Sequence, residues 1–506
     1  MQPHVLRHAM RKFCLALGLL SLALCVACGS GSSSSSGGGP TPMGNFTNAS
    51  FIGHYAYTLR GIDLNTGLDF RESGVLTSDG NGNITSGEDD FLELNSGPSP
   101  DTISGTYTIR NDGIGVATVN FGLGGSITLA LTLVSSSRVY VTEVDTFATA
   151  AGSAVQQDTN VISLVPSGTF AFHMHTANSQ SGIGSTASVG AFTVASGIAN
   201  GTEDSLTQGG VVTPLTLTGS FFTPDAAGRG TGTITDSALH TTSFTYYVVN
   251  ASTVRLMVSD LGVIGLGMAE AQTGAPFTNA SLTGSYAFGT RGDTLIFGTD
   301  GVGTAGRFTA DGIGGISAGA FDSVQDGTPS GNVTFTGTYN ANVDGKGEVT
   351  ATLTPSVGST IHEISWMVNP NRAFLLVDDP SRVEDGSADT QQAITYANST
   401  LTGQFAFFMH GYTTTPATFD RNGTLIPNGN GGMTLTYFLN NTGAVTTTPI
   451  SLTGTYAVTS TVTGRYTGSV NTLSNNLVFY MISGNDGYVL QADTGTEIDG
   501  NMSKQP

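Results

Sequence analysis

Four side chains that can carry positive charge recur at one position of a repeated motif, and they are the residues best placed to do chemistry. The motif is glycine, any residue, aromatic, alanine, aromatic, and its four copies begin at Gly53, Gly168, Gly284 and Gly403. Three residues beyond each second aromatic stand, in chain order, Arg60, His175, Arg291 and His410. A cation at a strand end can bond carbonyls, pair with the aspartate that closes each repeat, or line a ligand mouth. The repetition favours a structural role, and the ligand-mouth role stays open.

The two aromatics of each motif lie two residues apart, so a β-strand places them on one face. In the third copy they are Tyr286 and Phe288. Counting by twos from Phe288 reaches Thr290 and misses Arg291, so Arg291 is predicted on the opposite face unless a bulge intervenes. The basic residue is therefore expected outside the core that the aromatics fill.

Other matches to catalytic and metal-binding motifs lack the context that their chemistry requires. Residues 301–306 match a dinucleotide-binding pattern, but a predicted strand follows where that pattern needs a helix. Residues 315–319 match a nucleophile elbow but lie inside a predicted strand. His173 and His175 share a strand face without an evident third metal ligand. We therefore predict no catalytic residue, no metal site and no cofactor.

Four Asp-Gly-x-Gly segments are predicted to be hairpin turns. They begin at Asp79, Asp112, Asp311 and Asp344. A calcium loop needs acids at alternate positions and a closing glutamate, which these segments lack. Their glycines allow the positive φ angles of tight turns.

The N-terminus has the features of an export signal. Residues 1–12 are basic, and residues 13–27 form an apolar run that is too short to span a bilayer as a stable helix. Residues 25–29 read CVACG, which resembles a bacterial lipoprotein lipobox, with cysteine where leucine is usual. The resemblance implies cleavage before Cys28, a diacylglyceryl group on Cys28 and a membrane as partner. Gly29 then implies sorting to an outer membrane in a cell with two membranes.

The leader also holds every cysteine of the chain. They are Cys14, Cys25 and Cys28. The repeats therefore have no disulfide, thiol nucleophile or cysteine-based metal site. Residues 28–45 are predicted to be a tether, because residues 29–39 are only glycine and serine and form a flexible coil.

Two further landmarks keep the same order in every repeat, which predicts four separate modules. A second glycine-x-aromatic element ends in Tyr107, Phe221, Tyr339 and Tyr456. An apolar strand then ends in Asp145, Asp260, Asp378 and Asp493, and it is followed by Gln156, Gln272, Gln391 and Gln505. The predicted modules are residues 46–158, 159–276, 277–395 and 396–506, after a signal peptide at 1–27. Each is long enough to bury a core and is expected to fold by itself.

The composition predicts an all-β protein. The chain has 70 glycines in 506 residues and only 11% charged residues, and it is rich in threonine, valine and aromatics. That composition is typical of short strands joined by tight turns. The formal net charge of -20 opposes nucleic acid as a direct partner.

The third module is predicted to contain seven or eight antiparallel strands. They are residues 284–291, 304–310, 315–321, 333–343, 348–354, 362–368 and 373–378, with a short closing run at Ala393 and Ile394. Both small up-and-down barrels and β-sandwiches fit this order of hairpins. The hairpins and the opening glycine-x-aromatic motif resemble calycin-type barrels such as lipocalins. The resemblance implies closed barrels, which have no exposed sheet edges.

The sequence favours an exported, lipid-anchored, non-enzymatic repeat protein. Its expected role is a spacer, a scaffold or an adhesin-like array on the cell surface or in the periplasm. The alternative is a binding protein whose barrels hold small apolar or glycan ligands, with a protein ligand also open. Barrel cavities would favour binding, and interiors filled by phenylalanine and tyrosine would oppose it. A glycan-active enzyme is less favoured because the carboxylates are scattered.

Overall fold

The chain folds into four consecutive eight-stranded antiparallel β-barrels. The computed structural model describes residues 44–178, 184–294, 301–413, 417–470 and 475–506. The all-β prediction is confirmed, and barrels are the correct choice over sandwiches because each sheet closes on itself. Within these ranges there is no α-helix. None of the described helices is long and apolar enough to cross a membrane. The leader and Cys28 lie outside the described residues.

The strands are numbered β1 to β33 in chain order, and in each barrel consecutive strands pair and the last pairs with the first. Barrel 1 consists of β1 (Ile52–Asp63), β2 (Leu68–Asp79), β3 (Asn83–Glu93), β4 (Ser99–Ile109), β5 (Ile114–Phe121), β6 (Ser126–Ser135), β7 (Arg138–Glu143) and β8 (Ala148–Gln156). Barrel 2 consists of β9 (Gly168–Asn178), β10 (Ser185–Ala195), β11 (Ile198–Thr207), β12 (Thr213–Phe221), β13 (Arg229–Asp236), β14 (Thr241–Asn250), β15 (Thr253–Val258) and β16 (Val263–Ala271).

Barrels 3 and 4 repeat this order. Barrel 3 consists of β17 (Thr283–Thr294), β18 (Gly301–Asp311), β19 (Gly315–Gln325), β20 (Thr328–Ala341), β21 (Glu348–Pro355), β22 (Ile361–Asn369), β23 (Arg372–Asp378) and β24 (Arg382–Thr390). Barrel 4 consists of β25 (Phe405–Thr413), β26 (Ala417–Pro427), β27 (Gly432–Asn441), β29 (Ile450–Ser460), β30 (Arg465–Val470), β31 (Asn475–Met481), β32 (Asp486–Gln491) and β33 (Thr496–Lys504). The two-residue strand β28 (Ala444–Val445) pairs with β27 at its edge.

The closing strand of barrel 3 lies earlier than predicted. Ala393 and Ile394 are wrong as a closing run, because β24 already pairs with both β23 and β17 and these two residues follow it in a loop. The outer face of β24 carries acids such as Asp385 and Asp389, which meet polar groups of other barrels. The strand therefore lacks the apolar alternation that marks its neighbours.

The motif aromatics fill the barrels, and the motif alanines face outward. In barrel 1, Tyr55 and Tyr57 belong to the core, whereas Ala56 packs against Tyr247 and Val249 of barrel 2. The four motif alanines are all 0% exposed: Ala56, Ala171, Ala287 and Ala406. A small residue is needed there because the neighbouring barrel packs directly on the strand, and a larger side chain would overpack the contact.

A short 3₁₀ helix closes one end of three barrels. The helices are Asn48–Ser50, Asn279–Ser281 and Asn398–Thr400. The Tyr107 hydroxyl donates to the Asn48 carbonyl at 3.1 Å, and Tyr339 and Tyr456 make the equivalent bond. In barrel 2 that position is Phe221, which has no hydroxyl, and the described part of barrel 2 has no such helix. The second landmark therefore ends in tyrosine in the three barrels that have the helix and in phenylalanine in barrel 2.

The Asp-Gly-x-Gly segment at Asp311 forms the predicted hairpin turn. Its carboxylate accepts backbone N–H bonds from Ile313, Gly314 and Gly315 at 2.8 to 3.0 Å. Gly312 and Gly314 have φ angles of 80° and 119°, a region that favours glycine. The aspartate therefore organises the turn.

The four barrels pack side by side in a closed ring. The first two strands of each barrel contact late strands of the next barrel, and barrel 4 contacts barrel 1 in the same way. Apolar clusters cross each of the four contacts. Head-to-tail contacts of this kind close into a ring when the rotation returns to its start.

A glutamine after the last strand of each barrel reaches across to the next barrel. Its side-chain amide donates to two backbone carbonyls there, at 2.8 and 3.0 Å for Gln157. The other three are Gln272, Gln391 and Gln505. In the first repeat the landmark glutamine is therefore Gln157, because Gln156 bonds Ile52 inside its own barrel.

The last glutamine completes the ring. Gln505 donates to the carbonyls of Asp112 and Leu133 in barrel 1. Close by, the Phe46 N–H donates to the Asn111 carbonyl at 3.2 Å. The beginning and the end of the four-barrel unit therefore meet at one turn of barrel 1.

Candidate functional site

The four predicted basic positions come together where the four barrels meet. Each lies four residues beyond a motif alanine, so it is on the same outward face and points to the centre of the ring. Arg60, His175 and Arg291 line a cavity of about 630 Å³, which we call the central cavity. His410 lies 1% exposed beside this group, with its backbone carbonyl near Arg291. Sequence reasoning found these residues without showing that they share a site.

A glycine follows the basic residue in three barrels because two strands approach closely there. A Cβ atom on Gly61, Gly292 or Gly411 would lie 1.9 to 2.1 Å from a carbonyl oxygen of the eighth strand of the same barrel. No side chain fits at that distance. The glycine therefore fixes the spacing of the strands that position the basic residue.

His175 bridges two aspartates of barrel 3. Its Nδ1 lies 2.7 Å from Asp385 and its Nε2 lies 3.0 Å from Asp293. Burial lowers the pKa of His175, but the hydrogen bonds and charges of the two aspartates outweigh it and raise the pKa to about 9. The imidazole is therefore a cation at neutral pH, and its charge lowers the pKa of both aspartates against the effect of their burial.

His173 lies two residues before His175 on the same face of β9, and it contacts the same aspartate. Its Nδ1 lies 2.9 Å from the second carboxylate oxygen of Asp385. Its ring packs on Phe374 with centroids 4.7 Å apart. The pair of histidines that resembled a metal site in the sequence thus holds a carboxylate.

Arg60 and Arg291 also face other barrels. Arg291 lies on the opposite face from the core aromatics, as alternation predicts, and its Nη2 is 3.0 Å from Asp499 of barrel 4. Burial lowers the pKa of Arg60, but Tyr412 of barrel 4, Asp293 of barrel 3 and Asp69 raise it overall. Both guanidinium groups therefore connect barrels through charge.

His410 is the exception because it pairs within its own barrel. Its Nδ1 hydrogen-bonds Asp420 at 2.5 Å, and both side chains are at most 1% exposed. Burial lowers the pKa of His410, with the charges of Arg291 and Arg60 adding to the effect, and burial raises the pKa of Asp420. The pair is therefore a neutral hydrogen-bonded unit.

The predicted pairing with the closing aspartates is wrong. Three of them hold backbone instead: Asp145 accepts the Phe147 N–H at 2.9 Å, Asp260 accepts the Ser243 N–H at 3.0 Å and Asp493 accepts the Asn476 N–H at 3.0 Å. The partners of His175 and Arg291 are Asp385 and Asp499, which belong to the next barrel. A partner from another repeat cannot be recognised by comparing the repeats one at a time.

The strand register of the structure shows a pattern behind those partners. The eighth-strand residue that pairs in register with the basic residue is Ala151, Leu266, Asp385 or Asp499. The two aspartates occur in barrels 3 and 4. They receive the cations of barrels 2 and 3, one place earlier in the ring.

The central cavity is rich in arginine for a chain of net charge -20. Its arginines are Arg60, Arg71, Arg138, Arg291 and Arg372. Arg372 bonds Glu270 of barrel 2 and Asp389 of its own barrel at 2.8 to 2.9 Å. Within the described ranges, no group of three histidine, cysteine or acidic residues is arranged to hold a metal ion. His175, Arg291 and Arg372 are thus paired with carboxylates across barrel contacts.

No protein-family model and no curated protein matches the sequence of this chain. Its function is therefore inferred from its own geometry.

Proposed function

We propose that this chain is an exported, lipid-anchored, non-enzymatic scaffold of the cell envelope. In this proposal Cys28 carries the lipid, residues 28–45 form the tether, and the ring of barrels is a fixed platform. The closed set of four barrel contacts is the observation that carries the proposal. A ring supports a compact platform over an extended spacer, because its barrels cannot separate without breaking contacts on both sides.

Buried polar contacts support the rigidity of the platform. At the contact between barrels 3 and 4, Arg465 forms a two-pronged ion pair with Asp322 at 2.7 Å. The Tyr480 hydroxyl donates to the same carboxylate at 2.8 Å. Paired and fully hydrogen-bonded charges of this kind fix one geometry, since leaving any one of them unpaired is costly.

The contact between barrels 2 and 3 uses the same position. There the indole N–H of Trp366 donates to Asp204 at 2.8 Å. The side chains of Ala171 and Val189 pack in the same apolar cluster as Trp366. The recurrence of one contact at successive junctions is what a built platform requires.

The central site supports a role without catalysis. His175, Arg291 and Arg372 are engaged with carboxylates of neighbouring barrels, as His175 is with Asp385 and Asp293. A general base needs a free acceptor near its working pH, whereas His175 is held as a cation. The site is thus suited to holding barrels together.

Fractionation of the cell envelope tests the anchor. Replacement of Cys28 by alanine should move the protein from the membrane to the soluble fraction. Cys14→Ala is the matched control, because it also removes a leader cysteine but leaves residue 28 intact. Membrane association that persists unchanged in Cys28→Ala would contradict the proposal.

Ligand binding by a barrel is the second candidate function, and one observation favours it. The interior cavities of barrels 1 and 3 measure only about 20 Å³ because aromatic and aliphatic side chains fill them. The mouth of barrel 3, in contrast, holds a cavity of about 490 Å³.

A further inference from the structure

The cavity at the mouth of barrel 3, which we call the mouth cavity, is large enough for a small ligand. Its volume of about 490 Å³ lies within the usual range for ligand pockets, roughly 300 to 1,000 Å³. It is at the barrel end opposite the 3₁₀ helix and includes Phe288, Phe321, Phe335 and Leu353 in its wall. The floor of the cavity is therefore apolar, where the packed core closes it from below, and serine, threonine and charged side chains complete its wall.

Two glutamates project into the mouth cavity from neighbouring parts of the wall. Glu363 lies on β22 in alternation with Met367, a core residue, and Glu384 lies on β24 in alternation with Ala388, also a core residue. Glu384 is 1% exposed; it accepts a hydrogen bond from Thr290 and lies 3.1 Å from Arg382 Nε. The charge of Glu384 is therefore supported by its surroundings.

Glu363 has no such support. In the part of the chain that the structure describes, its carboxyl group forms no hydrogen bond and no ion pair. Burial raises the pKa of Glu363 to about 8, and the charge of Glu384 adds to the effect. Glu363 is half-buried, so a ligand in the mouth cavity can reach its carboxyl group, and no described side chain balances its charge.

The other three barrels show that a carboxylate is not needed at either position. The residues equivalent to Glu363 are Leu129, Phe244 and Leu477, which are 2 to 7% exposed. The residues equivalent to Glu384 are Ala150, Gly265 and Ile498. Barrel 3 thus carries two acids where the same fold closes well with apolar residues or glycine, and both acids face one cavity.

We propose that the mouth cavity binds a small amphiphilic amine. The apolar body of the ligand packs against Phe288, Phe321 and Phe335, and its ammonium group donates hydrogen bonds to Glu363 and Glu384. This site adds ligand binding to the proposed scaffold role. It presents two glutamates, whereas the central cavity is rich in arginine. An ammonium supplies the cation that Glu363 lacks, and the aromatic walls favour a cation as well as an apolar body.

Titration calorimetry on the full chain tests the proposal with three probes of one shape. They are 2-phenylethylamine, 2-phenylethanol and 3-phenylpropionate, which share a body but carry a cationic, a neutral and an anionic head. The amine should bind at least about tenfold more tightly than the alcohol, the effect of one charged hydrogen bond. The propionate should not bind measurably.

Substitutions locate the site. Glu363→Gln keeps the size of the side chain and should abolish the preference for the amine over the alcohol. Glu363→Leu should do the same and raise the melting temperature, because it restores the residue found in barrels 1 and 4. Glu348→Gln is the matched control, since it removes an acid of barrel 3 at β21 and away from the mouth cavity.

The pH dependence gives a second readout. Because Glu363 is protonated at neutral pH, it must release a proton to pair with the ammonium. Affinity for 2-phenylethylamine should therefore rise from pH 6 to pH 9, and this rise should vanish in Glu363→Gln. Among the described residues, the other titratable groups that line the cavity are Glu384, Arg382, Asp326 and Asp379, which all remain in that variant.

Two results would overturn the proposal. One is absence of amine binding at millimolar concentration, and the other is amine binding that Glu363→Gln leaves unchanged. Because neither result depends on the fate of Cys28, failure of this proposal can be told apart from failure of the scaffold proposal.

Discussion

The three contacts between consecutive barrels differ from the seam, the contact at which barrel 4 meets barrel 1. At the consecutive contacts an aspartate accepts a bond from an aromatic side chain of the next barrel. The pairs are Asp90 with Tyr247, Asp204 with Trp366 and Asp322 with Tyr480. At the seam the equivalent positions are Phe438 and Thr132, and Phe438 packs in an apolar cluster with Ile114 and Ala130.

The seam replaces the lost polar contact with bonds of its own. The Asn440 amide donates to the carbonyls of Glu143 and Ala148, both at 2.8 Å. The Asn422 amide donates to the carbonyls of Ala130 and Tyr140. At the seam both the aspartate and its aromatic partner are replaced, and two asparagines bond the backbone of barrel 1 instead.

The contrast between the seam and the other contacts specifies the number of barrels. A ring of three would bring barrel 3 against barrel 1 and leave Asp322 facing Thr132, without its tyrosine and arginine. A buried unpaired carboxylate costs several kcal/mol, so that closure is disfavoured. Specificity here comes from a penalty on the wrong partner as well as from contacts with the right one.

The largest effect is expected from removing the aspartate of a consecutive contact. Asp322→Ala leaves the Tyr480 hydroxyl and the Arg465 guanidinium without their acceptor, and Asp322 is 1% exposed. We expect a loss of about 3 to 5 kcal/mol in the free energy of unfolding, measured with denaturant. The exposed pair of Asp344 and Lys346 is the control, since Asp344→Ala should cost below about 1 kcal/mol. Equal losses would mean that the aspartate contact does not hold the ring.

The second effect distinguishes the contact between barrels 2 and 3 from the seam. The charge of His175 stabilises the former, whereas at the seam His410 pairs within its own barrel. The pKa of His175 is raised from 6.5 to about 9, so its charged form stabilises the fold. That contribution, on the order of 3 kcal/mol, is complete below about pH 6.5 and is lost as pH rises towards 9. Thermal unfolding between pH 6 and pH 9.5 should show the loss.

Removal of the histidine is the check on this assignment. In His175→Gln the decline of stability over that pH window should be smaller. His410→Gln should leave the decline in place, because burial keeps the pKa of His410 below that window. A decline of the same size in all three proteins would assign it to another group.

The smallest effect compares the glutamines directly. Gln505→Ala at the seam and Gln157→Ala at the first contact each remove two hydrogen bonds to backbone carbonyls. We expect each to cost about 1 to 3 kcal/mol, because buried carbonyls lose their donor. Gln156→Ala is the control and should cost less, since Gln156 makes one bond in a more exposed place. A seam variant without effect would show that the apolar cluster alone closes the ring.

The sequence predicted what repeats within one barrel and missed what passes between barrels. Alternation placed Tyr286 and Phe288 inside and Arg291 outside, because the period of a strand is local. The purpose of the intervening Ala287 was not predicted, since its partner, Tyr480, lies in another repeat. Strand β24 was missed for the same reason: its acids look solvent-exposed until a second barrel is packed against them.

The residues of the candidate sites likewise divide into those that recur in every repeat and those that occur in only one. Arg60, His175, Arg291 and His410 were found because they recur at one position. Asp293 and Glu363 were not, because each occurs in one repeat and has no counterpart to mark it. Comparing Glu363 with Leu129 and Leu477 requires the strand register, which a sequence with shifting loop lengths does not provide.

The two ends of the four-barrel unit meet at one turn of barrel 1. The contacts of the ring therefore do not depend on which barrel comes first in the chain. Phe46 bonds Asn111, and Gln505 bonds Asp112 next to it. A short peptide could join these ends, and the chain could then be opened between barrels 2 and 3, as a circular permutation. All four contacts would be kept, and the seam of barrel 4 with barrel 1 would become an internal connection of the chain. The four barrels thus form a cyclic arrangement that the linear chain enters at barrel 1.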